Sequence, residues 1–131
     1  MKDIIIDDFQ NAVSESLIRH KSILDIMTKL NESQSRINRA IAKSATNCGC
    51  IKIDAEKQKL PDDCSLEEAS KLLSYQVKGK LCDNCREVLE DEIGTELYYL
   101  AALCDALNIN LFDVLLKEYK NITTLGKFSM L

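Results

Sequence analysis

Residues 1–48 contain neither a glycine nor a proline, and the whole chain holds only four glycines and one proline. Sheets and long loops need such residues at their turns, whereas long helices do not. Within this run, residues 14–45 place apolar side chains at helical spacing. Leu17, Leu24, Met27, Leu30, Ile37 and Ile41 recur mostly three, four or seven positions apart, with polar residues between them. An unbroken helix there would exceed roughly 40 Å at ~1.5 Å per residue. A rod of that length needs cover along its apolar face. The expected fold is therefore an all-α helical bundle with a long N-terminal helix, which dimerises to supply the cover.

The helical period stops at "NCGCIKIDAEKQKLPDDC", expected to be a connector at about 46–65 within a single domain spanning 1–131. "CIKIDA" alternates apolar and polar residues, as a short extended piece would. Ser65 followed by Glu68 has the form of a capping box and predicts a helix from Leu66 to about Val77, ending near Gly79. A third helix is predicted from Cys82 or Asp83 to Leu107, with Leu89, Ile93, Leu97, Leu100, Cys104 and Leu107 as its main stripe. Gly94 costs such a helix only about 1 kcal/mol. Asn110 and Asp113 cap a last helix from Leu111 to about Tyr119. The tail, apolar at Ile122, Leu125, Phe128 and Met130, is expected either to cover a groove or to fray.

The chain's 17 basic and 21 acidic residues give a formal net charge of −4. No broad basic surface for nucleic acid follows from that balance, although "SRINRAIAK" forms a local basic patch. No apolar run is long enough to span a membrane, and "MKDIIIDDF" lacks a signal-peptide core. A cytoplasmic location without membrane contact is expected.

Six cysteines in a reducing compartment point away from a disulfide framework and towards spare thiols or metal ligands. Cys48 and Cys50 form a C-x-C pair, and Cys82 and Cys85 a C-x-x-C pair. Each pair lets one turn present two sulfurs to one ion. Together they supply the four soft donors of a structural zinc site, which would fasten the end of the first helix to the start of the third. Plain reduced thiols and a redox pair are the alternatives. Cys64 lies in the same connector and is able to replace one ligand, while Cys104 sits on the apolar stripe as a small hydrophobe. The single histidine, His20, has no histidine partner and reads as a surface or boundary residue.

Glu87, Glu90, Asp91, Glu92 and Glu96 crowd the start of the third helix. Such a run is most simply a solvated face that complements the helix dipole. Glu92 and Glu96, however, lie four apart on one face and border apolar surface. A magnesium ion, or the cations Arg36, Arg39 and Lys43 of the first helix, would relieve their repulsion. The same three cations are candidate phosphate contacts.

The segment "EVLEDEIGTELYYLAALCDALNINLFDVLLKEYKN" resembles the closing part of the MazG-like nucleoside triphosphate pyrophosphohydrolases. The resemblance implies an all-α, dimeric or tetrameric bundle that uses magnesium to cleave a nucleoside triphosphate into the monophosphate and pyrophosphate. It makes Glu92 a metal-ligating glutamate and Glu32 the first member of an acidic pair on the first helix. Thr95 stands at the family's aspartate place and Ser35 at its second glutamate; Glu96 is the nearest substitute. Two functions are therefore expected as alternatives. One is a MazG-like pyrophosphohydrolase with an altered acidic site built on Glu32, Glu92 and Glu96. The other is a non-catalytic, zinc-stabilised helical protein that binds partners or regulates.

Overall fold

A computed structural model describes residues 2–125. It is an all-α helical bundle carrying one small two-stranded antiparallel ribbon. In chain order the elements are α1 (Lys2–Ser16), α2 (Ile23–Lys43), β1 (Ile51–Ile53), α3 (Leu66–Leu72), β2 (Val77–Gly79), α4 (Asp83–Ala106) and α5 (Leu111–Leu125).

The single long first helix expected over residues 14–45 is two helices. The chain leaves α1 after Ser16, turns through His20 at a φ of 57°, and starts again at α2. Ser22 caps α2 by accepting a hydrogen bond from the Asp25 amide at 3.2 Å. The break uses a histidine in the left-handed region and a serine cap rather than glycine or proline, so breaker content does not reveal it. His20 is exposed and lies 3.9 Å from Asp25.

α4 is the spine. α1 and α2 both pack on it, and α5 folds back against α1. Ala101 and Ala102, both fully buried, let the two neighbouring helices approach closely, and Val13 and Ile26 fill the space against them. Leu17, Tyr98, Leu103 and Leu111 border this core. Gln10, also buried, ties the corner between α4 and α5 to α1. Its amide nitrogen donates to Asp105 Oδ1 and to the Ile109 carbonyl, each at 2.8 Å, and its carbonyl accepts from the Leu111 amide at 2.8 Å. One side chain thus satisfies backbone groups that the corner would otherwise strand.

The covered faces differ from the sequence stripes. On α2 the buried positions are Ile26, Ser33 and Ile37, while Leu24 and Met27 face outwards. On α4 the expected stripe stays open: Ile93 is 43% exposed, Leu97 49%, Leu100 38% and Leu107 55%, with Cys104 half-buried. The helix predicted over 66–77 ends at Leu72, and residues 77–79 form β2. The last helix runs past Tyr119 to Leu125. Of the tail, Ile122 is half-exposed on α5; Phe128 and Met130 lie outside the described residues.

No single helix among the described residues is long and apolar enough to cross a membrane, and α4 and α5 meet at a bend of 107°.

Candidate metal centre

The two cysteine pairs are carried by the ends of α2 and α4 and joined by the β1–β2 ribbon. α2 widens at its C-terminus into a π-turn over Ser44–Cys48, closed by the Gly49 amide donating to the Ser44 carbonyl at 2.8 Å. Gly49 then turns the chain at a φ of 81°, where a side chain would be strained. Cys48 and Cys50 flank that turn. β1 follows and pairs with β2 in the register Ile51 to Gly79, Lys52 to Lys78 and Ile53 to Val77. The Asp54 amide extends the ladder to the Gln76 carbonyl at 2.8 Å, and Lys78 pairs with Asp54 at 2.8 Å. This register returns the chain beside Cys50 just before Cys82.

Gly79 allows the close approach. A Cβ built there would lie 2.6 Å from the Cys50 carbonyl oxygen, and its φ is 85°. Cys82 then caps α4, with its sulfur accepting from the Cys85 amide at 3.4 Å.

The result is a cluster in which the sulfurs of Cys48, Cys50, Cys82 and Cys85 all lie within 4.8 Å of one another, with Cys48 and Cys82 3.8 Å apart. A tetrahedral zinc with Zn–S bonds of ~2.3 Å has an S···S edge of about 3.8 Å. The spacing therefore suits one ion held by all four thiolates, a narrower set than the spread ligands of a polynuclear iron–sulfur cluster. Cys48 is exposed and the other three are half-buried, so the centre lies at the surface. All four are free thiols, and Cys64 and Cys104 stand outside the group.

The local electrostatics favour thiolate at one position. The Cys85 amide, reinforced by the Cys85 thiol, holds Cys82 down to about 7. At Cys85 itself the Ser44 hydroxyl pulls downwards, but the neighbouring Cys82, burial and the other two thiols push harder, up to about 12. Cys48 is drawn down by Cys85 but raised on balance by Cys82 and Cys50. Four thiols so close cannot all ionise together; a dication bound among them would remove that conflict.

Comparison with known protein families, with curated proteins and with solved structures finds no match to this chain. The centre is therefore read from its own geometry.

The acidic candidates are arranged differently. Glu32, Arg36 and Glu92 line one shallow pocket between α2 and α4, about 110 Å³ in volume, together with Lys29, Ser33, Thr95 and Tyr99. Glu32 is already neutralised on its own helix, by Arg36 at 3.2 Å and Lys29 at 3.4 Å, and both hold its carboxyl below the usual range. Pairing of Arg36 with the acids of α4 is thus replaced by pairing within α2. The Thr95 hydroxyl donates back to the Asp91 carbonyl at 3.1 Å, and that of Ser35 to Asn31 at 3.3 Å. Glu96 is half-buried but does not line this pocket, and Arg39 does not line it either. Lys43 instead lines a cleft of about 280 Å³ beside Cys48 and Cys85. Among the described residues, the four thiols are the only group of three or more cysteine, histidine or acidic side chains close enough to share an ion.

The turn at Gly49 and the C-x-x-C cap were legible in the sequence. β2 and the role of Gly79 were not. "VKG" has no alternation of its own, and its only signal was a glycine that also reads as a helix stop.

Proposed function

We propose that this chain is a non-catalytic helical protein, stabilised by one structural zinc and acting through partner contacts. The observation that carries the reading is the convergence of Cys48, Cys50, Cys82 and Cys85 within 4.8 Å. When bound, zinc supplies a closed tetrahedral crosslink, and four protein ligands leave it no open position for substrate. The residues' task is then mechanical. Cys48 and Cys50 hold the end of α2, Cys82 and Cys85 hold the start of α4, and the β1–β2 ribbon keeps the two pairs in register. The apolar surface left open on α4, α5 and α1 supports a role in contact with other protein surface.

Metal analysis of protein purified without chelator tests this. Close to one zinc per chain is expected, falling below a tenth in the double variant Cys82→Ser/Cys85→Ser. Metal-free wild-type protein that keeps its full thermal stability would overturn it.

A second reading, the MazG-like pyrophosphohydrolase, is supported by Glu32 and Glu92 lining one pocket across α2 and α4. It requires magnesium-dependent release of pyrophosphate that Glu92→Gln abolishes. Absence of turnover across a nucleotide panel at high protein concentration leaves the first reading standing alone.

A further inference from the structure

The chain exposes 10399 Å². A compact folded monomer of its 14.8 kDa mass exposes about 7,000 Å². The difference exceeds the ~800 Å² per partner that a standard interface removes from water. Among the described residues, only Val13, Ile26, Ile37, Ile51, Ala101 and Ala102 are buried apolar residues, a small core for so long a chain. The described residues thus leave apolar surface open that a further surface would cover.

Of the open faces, α4 carries the most ordered one. Ile93, Leu97, Leu100, Cys104 and Leu107 alternate steps of four and three, the heptad spacing of a helix–helix seam. This row points away from the residues that α4 buries against α1 and α2, and its four large aliphatic side chains are each 38–55% exposed. A surface-facing helix of a monomer would place polar residues there.

We propose that a second copy of this chain docks on this row, α4 against α4 and antiparallel, with a two-fold axis beside Leu100. Two features select this occupant and direction. First, the row is nearly symmetric about Leu100. Reversal sets Ile93 opposite Leu107, Leu97 opposite Cys104 and Leu100 opposite itself, as an isologous interface requires. Second, Asp83, Glu87, Glu90, Asp91, Glu92 and Glu96 all lie in the N-terminal part of α4, with only Asp105 beyond Leu97. A parallel pair would stack these carboxylates on one another. With the axis beside Leu100 the antiparallel pair overlaps only along Ile93 to Leu107, so that of these acids only Glu96 faces the partner's α4 and the others run past its end, and the two helix dipoles oppose. The seam deepens the partner-binding reading by naming the partner. It stands apart from the zinc centre, at the other end of α4, so the two are tested separately.

Light scattering coupled to size exclusion, at about 50 µM protein, should give twice the chain mass. Leu100→Glu sets two carboxylates against each other at the axis and should weaken dimerisation at least 100-fold. Leu24→Glu on the exposed side of α2 should leave the dimer intact. A wild-type mass of one chain overturns the proposal, as does a dimer that persists in Leu100→Glu. So that unfolding of the variant cannot obscure the result, a photo-crosslinking benzophenone residue is also placed at position 100 of the otherwise native chain. Crosslinks within residues 93–107 of the second copy are expected. Crosslinks confined to α1 or α5, or to a different protein in a cell extract, overturn the seam.

Discussion

Gly79 and Gly49 both adopt left-handed backbone beside the thiol cluster, yet they carry different loads. A methyl group at Gly49 meets nothing within 4 Å, whereas at Gly79 it collides with the Cys50 carbonyl. Gly49→Ala should therefore cost only the conformational strain, about 1–2 kcal/mol. Gly79→Ala adds displacement of β1 and of Cys50, and should cost about 2–4 kcal/mol and speed zinc loss to a competing chelator. Thermal melts and chelator kinetics on the two variants check the difference. Equal costs would show that Gly79 does not hold the cluster's geometry. Gln10 is the other residue whose loss should be felt widely. Gln10→Leu removes the partner of the Ile109 carbonyl, the Leu111 amide and Asp105 in part-buried surroundings, at roughly 1–3 kcal/mol by denaturant titration. The four thiols also set a pH dependence. Cys48 and Cys85 are raised and Cys82 is held down to about 7. Zinc must then displace at least two protons near pH 8, and a third once Cys82 is protonated below about 7. As pH is lowered, apparent zinc affinity should fall at least 100-fold per pH unit above neutrality and at least 1,000-fold below it. In the metal-free chain the depressed Cys82 favours the fold fully above its ordinary value of 9.0, and that contribution is lost as pH falls through about 7. Zinc affinity followed by competition with a chromophoric chelator from pH 8.5 to 6 reads the slope.

Among the elements, the two-stranded ribbon and the helices answer to different forces. β1 and β2 are three residues each and contain one buried side chain, Ile51. A ribbon so short is marginal without a further anchor. Removing zinc should therefore raise hydrogen exchange across residues 44–53 and 77–85 by at least 100-fold. Exchange at Val13, Ile26, Ala101 and Ala102 should stay slow. Uniform acceleration along the chain would mean that the metal is needed for the whole bundle. Element boundaries show the same division. The start of α4 at its C-x-x-C cap, the start of α3 at Ser65 and the start of α5 after Asn110 agree with the sequence, because a cap is written in adjacent residues. The break between α1 and α2 and the strand at Val77–Gly79 differ from it. The strand depends on a packing partner far along the chain, β1; the break rests on His20 and the Ser22 cap, local signals that carry no glycine or proline.

At the scale of the molecule, the described residues combine a small buried core with a large open apolar surface, so the proposed α4 seam would tie stability to association. If α4 pairs with α4, the melting temperature should rise with protein concentration, by several degrees between about 2 and 200 µM, because unfolding then separates two chains. Differential scanning calorimetry across that range checks it; a concentration-independent melt would place all the stability within one chain.

The sequence by itself determined that the chain is helical and that it carries two pairs of thiols spaced to grip one ion. Both properties are local, resting on breaker content, on residues three and four apart and on side chains within one turn. Tertiary structure alone decided that the two pairs converge, that Glu32 and Glu92 share a pocket without a third acid, and that the most regular apolar row on α4 is left uncovered. A helix has several faces able to bury apolar surface, and the chain segments that fold against it choose among them.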